Sequence, residues 1–384
     1  MKIAFEMQPL LDDEKTGIGF YADNLVRRVI TQNPETDFIL ECFLFKDIDV
    51  KKETIYSYNK SNTTTQICRF PRFFYRMLST FLPIPYRWFF RNDAYVRHFF
   101  NYITPPFAGG KKVVTIHDLS FIRFPETLSF KTKMLLRLGL RRSIARADVV
   151  LTISEFSRRE ILHFYPCLSE KVRVLYIGVD YDKFHVNITE KEKERICNKY
   201  GITKPYILYL GTLEPRKNIE RLIEAYALLR QKQLDVPPLV LAGKKGWLYE
   251  GIFNKLISFG LQEFVRFTGY VDEEDKAALL AGAIYFCFPS LYEGFGMPPL
   301  EAMACGTPVL AADAASLPEV LGDAALLVDP FSADDIAKGM EQLLTDAQLR
   351  TELKRKGIIQ AAKFDWDTIS KELYQLYQSL EDGL

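Results

Sequence analysis

One pattern constrains this chain more than any other. Short, continuously apolar runs alternate with segments whose apolar residues recur at helical spacing, and the pattern stops once and then starts again. The first series comprises "KIAF" (2–5), "FILECFLF" (38–45), "KVVTI" (112–116), "DVVLTI" (148–153) and "KVRVLYI" (171–177). Between the first two runs, Ile18, Tyr21, Leu25 and Val29 fall on one face of a helix. Runs that are apolar throughout are strands buried on both faces, which is the condition of a parallel sheet covered by helices on both sides. The polar stretch "GVDYDKFHVNITEKEKER" (178–195) breaks the series. It resumes with "YILYLG" (206–211), "PLVLAG" (238–243), "VRFTG" (265–269), "AIYFCFPS" (283–290), "TPVLAA" (307–312) and "AALLVD" (324–329). The expected fold is α/β, with two Rossmann-like domains, 1–182 and 183–365, facing each other across a cleft.

A length of 384 residues suits two such domains. The net charge of +1 provides no global attraction to nucleic acid. None of the six cysteines forms a C-x-x-C pair or clusters with histidine, which argues against a zinc site or a disulfide framework and for a reducing compartment. Glu6 interrupts the N-terminal apolar run, so a signal peptide fits poorly. No apolar stretch approaches the roughly 18–20 residues of a spanning helix. A cytoplasmic protein is expected, either soluble or resting on the cytoplasmic face of a membrane.

Ligands of doubly wound sheets bind beyond the carboxyl ends of the strands, and chemistry is sought there. "GIGFYA" (17–22) fits the G-x-G-x-x-A fingerprint of dinucleotide binding, with Glu41 as its acidic partner. "EMQPLLDDEKT" separates it from the first strand, where a tight turn is required, so the glycines suit a close approach to a different ligand, or plain loop geometry. Arg216 and Lys217 lie between a strand end and a helix for which Asn218 is the expected N-cap. Two cations there suit a diphosphate, the alternative being a solvated surface pair.

In "SLYEGFGMPPLEAMACGTPV" (290–309), Pro298 and Pro299 open a helix, and the N–H groups near Gly296 and Met297 form a second anion site. Glu293 and Glu301 flank this turn. No further acidic or histidine ligands lie near enough in sequence to build a metal site. Carboxylates that accept sugar hydroxyls fit better than an acid–base couple. Glu301 also has a simpler reading, as a partner of the helix dipole. His117, followed by Asp118, ends a strand. Its alternatives are a cleft residue and a satisfied core histidine.

These residues carry a resemblance. "EGFGMPPLE" is similar to the E-x7-E pattern of retaining glycosyltransferases of the GT-B fold, family 4. "GTLEPRKN" resembles that family's phosphate-binding turn, "GIG" and "TIHDL" its two N-terminal motifs, and "ASLPEVLGDAALLVDP" its last donor-side segment. The resemblance spans nearly the whole chain, with the motifs in order. It implies that the second domain binds a nucleotide-sugar. Glu301 would take the ribose hydroxyls, and Glu293 with the backbone of Gly294, Phe295, Gly296 and Met297 would hold sugar and phosphates. Arg216 and Lys217 would neutralise the leaving diphosphate. Gly211 and Thr212 would border the donor at the strand exit, and Gly269, Tyr270 and Val271 would lie near the base. Gly17 and Gly19 would approach the donor phosphate and the acceptor. His117 would contact the transferred sugar, with Asp118 beside it on the acceptor side.

The expected catalytic group is therefore His117, Glu293, Arg216 and Lys217. Many relatives place arginine directly after the strand glycine, where this chain has Thr212, so Arg216 would supply that charge. The last helix, 366–384, would cross back to the first domain. Retention without a required metal or cofactor is implied, and the "PRKN" turn tilts the donor toward GDP-mannose, with dTDP- and UDP-sugars open. The acceptor would be a saccharide, lipid-linked in the membrane reading below, in surface-polysaccharide assembly. Competing readings are a nucleotide-sugar epimerase or hydrolase of the same fold, a non-catalytic partner-binding subunit, and an NAD enzyme.

Residues 69–107, "RFPRFFYRMLSTFLPIPYRWFFRNDAYVRHFFNYITPPF", interleave arginine with aromatics and contain a single acid, Asp93. Such a segment suits a helix in a membrane interface, or an ordinary core or oligomer surface. Single-stranded nucleic acid is a third fit by composition, which the donor motifs argue against.

Overall fold

The computed structural model describes residues 1–11, 16–124, 139–232 and 235–382. The chain divides into two compact units, 1–177 with 366–384, and 178–365. The boundary falls ahead of the expected 182/183 because Val179 already pairs with the second unit's end. Its N–H donates to the Phe364 carbonyl at 2.8 Å, and it bridges to Asp365.

The first unit is built on seven parallel strands: β1 (Lys2–Glu6), β2 (Asp37–Phe43), β3 (Thr63–Cys68), β4 (Val96–Phe99), β5 (Lys111–Thr115), β6 (Val149–Thr152) and β7 (Val172–Val174). Their order is β3-β2-β1-β4-β5-β6-β7. The sequence pattern misses β3, β4 and the Ile48–Tyr56 helix. β3 is "TTTQIC", a polar edge strand. β4 is "VRHF", whose Arg97 and His98 are both buried. His98 is a core histidine. Its Nδ1 lies 2.6 Å from the Tyr377 hydroxyl and its Nε2 2.8 Å from Thr115 Oγ1. Burial pulls its pKa down to about 3, so the ring is neutral.

Tyr377 belongs to the Trp366–Glu381 helix, which returns to the first unit as expected. Trp366, Ile369, Leu373, Tyr377 and Leu380 form its buried stripe. Arg28 Nε and Gln32 Nε2 both donate to Asp367 Oδ1 at 3.1 Å, and Thr36 Oγ1 lies 2.6 Å from the Tyr374 hydroxyl.

The aromatic segment divides in two. Tyr75, Tyr86, Phe90 and Phe99 join a core centred on Phe43, whose ring lies 4.9 Å from that of Phe90. Phe73, Phe74, Leu82, Trp88 and Phe107 are exposed. Among the described residues, no helix is long and apolar enough to cross a membrane.

The second unit holds six parallel strands: β8 (Ile207–Leu210), β9 (Leu239–Ala242), β10 (Val265–Gly269), β11 (Tyr285–Phe288), β12 (Val309–Ala312) and β13 (Leu326–Val328). Their order is β10-β9-β8-β11-β12-β13. All six lie within runs read from the sequence, because strands covered on both faces carry an uninterrupted apolar signal.

Candidate active site

The site in the second unit begins at the exit of β8. Gly211 N donates to the Ala242 carbonyl and Leu213 N to that of Lys244, each at 2.9 Å, so the exits of β8 and β9 run side by side. The approach demands glycine. A Cβ on Gly243 would lie 1.9 Å from the Gly211 carbonyl oxygen. Thr212 stands in this exit, and its carbonyl accepts the Tyr209 hydroxyl at 3.1 Å.

The chain then makes a 3-10 turn, Pro215–Lys217, before the Ile219–Lys232 helix. Asn218 precedes that helix, and its carbonyl accepts from Leu222 N at 3.1 Å. Its side chain does not act as the expected cap. Asn218 is left-handed (φ 61°), not in the β-region typical of a capping residue, and its Nδ2 donates instead to Pro289 O at 3.0 Å and Pro330 O at 2.7 Å. The side chain thus ties the phosphate-type turn to the chain beyond β11 and β13.

Arg216 and Lys217 are not a solvated surface pair. Lys217 Nζ lies 2.6 Å from Glu293 Oε1, and Arg216 Nη1 lies 3.1 Å from Glu293 Oε2 and 2.6 Å from the Tyr292 carbonyl. Arg216 Nη2 also reaches Glu214 Oε1 at 2.8 Å. Burial alone would push the Glu293 carboxyl up. The Lys217 and Arg216 charges outweigh it and hold the group below the usual carboxylate range. Burial pulls the Lys217 ammonium down, and Glu293 holds it up. The two cations face two carboxylates, so the cluster is balanced internally. The sequence reading did not foresee Glu214, since nothing in the spacing distinguishes it from any other loop acid.

Glu293 lies on the loop between β11 and the Met297–Ala304 helix. Gly296 caps that helix at φ 114°, where a Cβ would also meet Leu317 Cδ2 at 2.7 Å. Ser316 Oγ, in the quoted donor-side segment, donates to the carbonyls of Glu293 (3.0 Å) and Phe295 (2.8 Å), a contact that the motif alone does not show. The Phe295 ring is buried and stands edge-on to Phe364 at 5.5 Å. Pro298 and Pro299 carry no N–H, which leaves Gly296 and Met297 as the amides at the helix entrance.

Glu301 is the fifth residue of this helix, beyond the first turn where the dipole acts. It is half-buried, and among the described residues its carboxyl makes no hydrogen bond or ion pair. Burial drives its pKa up to about 7, with Lys276 and Lys183 opposing and Glu273 and Asp180 reinforcing the shift. Beyond β10, Gly269 is left-handed (φ 72°), Tyr270 is exposed and Val271 is buried.

Gly17, Gly19, His117 and Asp118 belong to the first unit. Gly17 and Gly19 open the Gly17–Gln32 helix, whose cap is Thr16; its Oγ1 accepts from Gly19 N at 3.5 Å. A 3-10 turn, Gln8–Leu10, follows β1, so the tight strand–helix turn of a dinucleotide fingerprint is absent. His117 is buried, which lowers its pKa, and its Nε2 lies 2.9 Å from the Phe100 carbonyl. A neutral ring donating from Nε2 leaves Nδ1 as the remaining acceptor. Asp118 holds its own turn, with Oδ1 accepting from Ser120 N at 2.9 Å. Among the described residues, no group of three or more His, Cys, Asp or Glu gathers as a metal site.

Two parallel-sheet units, with carboxylates and cations converging at strand ends of the second, define a doubly wound α/β protein with a charged site on its second sheet, and comparison gives its family. Residues 16–183 match the model for Glycosyltransferase Family 4, and residues 191–360 match that for Glycosyl transferases group 1. The O-antigen chain mannosyltransferase B of Escherichia coli is 33% identical over 99% of this chain and 100% of its own length. The chain belongs to this glycosyltransferase family and is a hexosyl-transferring enzyme of the GT-B fold. A serotype-specific mannosyltransferase, WbdA of Escherichia coli, is 37% identical over 58% of this chain, a match spanning 27% of that longer protein. In fold, a sucrose-phosphate synthase from Thermosynechococcus elongatus superposes with a TM-score of 0.76 at 18% identity, covering 100% of this chain and 99% of that one.

Proposed function

We propose that this glycosyltransferase moves mannose from GDP-mannose, with retention of configuration, to a lipid-linked saccharide acceptor during assembly of a surface polysaccharide. The observation that carries this reading is Glu301. An unpartnered, half-buried carboxyl beside the Glu293 turn is suited to a ribose diol. The mannosyltransferase names of the relatives support the sugar. In this reading the donor diphosphate draws on the Arg216 and Lys217 charges and on the Gly296 and Met297 amides. His117 Nδ1 accepts a hydroxyl of the transferred sugar. The acceptor attacks on the face the diphosphate leaves, and the diphosphate takes its proton. The protein contributes positioning and charge stabilisation, and no metal is required.

The test is a thermal-shift panel of GDP, UDP, dTDP and their sugars, with NAD as control. A ligand at 100 times its Kd stabilises by about 2.7 kcal/mol. The expected result is a shift with the guanine nucleotides that is lost in Glu301→Ala. A shift with a different base would replace the donor, and no shift with any nucleotide would overturn the reading.

The membrane-facing part of the proposal rests on the exposed Phe73, Phe74, Leu82, Trp88 and Phe107, with the exposed Arg69, Arg87 and Arg91 nearby in sequence. Apolar wedges beside cations suit the cytoplasmic face of an anionic bilayer. Cosedimentation with anionic vesicles is expected, weakened by salt and by the double substitution Phe73→Glu, Trp88→Glu. A protein that stays wholly in the supernatant at low salt refutes this part.

A further inference from the structure

We propose that Asp275 is a positioning residue for the donor: its buried carboxylate clamps the segment that leaves β10 to the Glu190–Tyr200 helix and so fixes one wall of the nucleoside site. The assignment rests on the reading of Glu301 as a donor-binding carboxylate. Asp275 stands directly before the short Lys276–Ala281 helix, where an aspartate ordinarily caps the amides of its own helix. Its side chain makes no such bond and is fully buried. Both oxygens are turned onto the Glu190–Tyr200 helix instead.

Three side chains of that helix converge on Asp275. Arg195 Nη2 donates to Oδ1 at 3.1 Å, and Lys199 Nζ and the Tyr200 hydroxyl donate to Oδ2 at 2.5 and 2.9 Å. Lys199 and Tyr200 also hold the start of the segment. Lys199 Nζ reaches Asp272 Oδ2 at 2.7 Å, and the Tyr200 hydroxyl accepts from Asp272 N at 3.2 Å. Arg266 of β10 donates from Nε and Nη2 to the Tyr200 carbonyl, each at 3.1 Å. One helix end thus pins both β10 and the chain beyond it. Burial would push the Asp275 carboxyl up, but the bonds from Lys199, Tyr200 and Arg195 outweigh it and hold the group below the usual carboxylate range. A buried carboxylate with charged donors on both oxygens is a strong and directional anchor.

The pinned segment is the one that borders Glu301. Between the anchors at Arg266 and Asp272, Gly269 is left-handed (φ 72°), and among the described residues nothing lies within 4 Å of its Cβ position. Tyr270 beside it is 55% exposed, so the chain is open to a ligand there. Glu273 and Lys276, on either side of Asp275, pair with each other and are among the charges that act on the Glu301 carboxyl. A nucleoside whose ribose rests on Glu301 therefore meets groups whose places Asp275 sets without itself touching the ligand. A wall held in advance loses little freedom on binding and discriminates between bases by shape.

Calorimetric titration of the full chain with GDP, UDP and dTDP tests this. In Asp275→Asn the dissociation constant of the best-bound nucleotide is expected to rise about tenfold, and the preference for its base over the other two to shrink. Tyr200→Phe removes a single hydroxyl from the clamp and is expected to raise the constant about threefold, which decides the matter should Asp275→Asn fail to fold. Leu343→Ala, a cavity in the Ala333–Thr345 helix, which carries none of the clamp residues, is the structural control. It should lower thermal stability and leave affinity and base preference unchanged. Wild-type affinity and preference in the folded clamp variants, or equal losses in Leu343→Ala, overturn the assignment. Failure of the donor reading would show separately, as no nucleotide binding in the wild type.

Discussion

Glu293→Ala is expected to lower the stability of the second unit by about 3–5 kcal/mol and to abolish transfer. The magnitude follows from what remains. Lys217 and Arg216 are held by this carboxylate at 2.6 and 3.1 Å, and its removal leaves Lys217 as a buried charge with no carboxylate in contact. Denaturant unfolding measures the first effect and product formation the second. Because the folded Glu293 carboxyl lies below the usual carboxylate range, its contribution is present above pH 4.5 and is lost only as pH falls through the depressed value. Glu293→Gln separates structure from ligand contact. The amide keeps the shape but not the charge, so a nucleoside diphosphate should stabilise this variant at least as strongly as the wild type, by replacing the missing anion. A smaller shift would mean that Glu293 itself touches the nucleotide.

Glu301 should behave in the opposite way. Its carboxyl titrates near 7 when folded and near 4.5 when unfolded, so the folded state favours the protonated form. Stability is unaffected below about pH 4.5, declines as pH rises toward 7, and stays lower above that by about 3 kcal/mol. Glu301→Gln is therefore expected to raise stability at pH 8 by up to this amount while weakening donor binding. If the ionised carboxylate is what grips the ribose, the affinity for a nucleotide-sugar should fall about tenfold from pH 8 to pH 6 in the wild type and stay flat in Glu301→Gln. A nucleotide-sugar is the right probe, since its diphosphate has no proton to gain in this range. Calorimetric titration at the two pH values decides the matter. A flat wild-type profile would remove Glu301 from the ribose.

What could be read in advance follows the physics of burial. The six strands of the second sheet were legible because each is a short apolar run. β4 was not, because Arg97 and His98 are satisfied inside the fold by Glu41, Asn92, Tyr377 and Thr115, partners that no local pattern reveals. The cations and glutamates of the site were legible as types at strand ends. Their pairing was not, since Arg216 and Lys217 meet Glu293, and Ser316 holds the Glu293 turn, only through the fold. The isolation of Glu301 is likewise a property of its surroundings.

The two-segment make-up of the first unit sets an order of assembly. Tyr95, His98 and Thr36 find Leu380, Tyr377 and Tyr374 only when the end of the described chain has been synthesised. Translation proceeds at roughly 5–20 residues per second, so the intervening unit occupies the ribosome for on the order of 10–40 s. Throughout that interval the sheet face around Phe5 and Tyr21 lacks its cover of Tyr377 and Trp366. The second unit, contiguous in sequence, can close first. The half that is begun earliest is completed last, which makes a nascent chain stalled before residue 366 a natural substrate for chaperones.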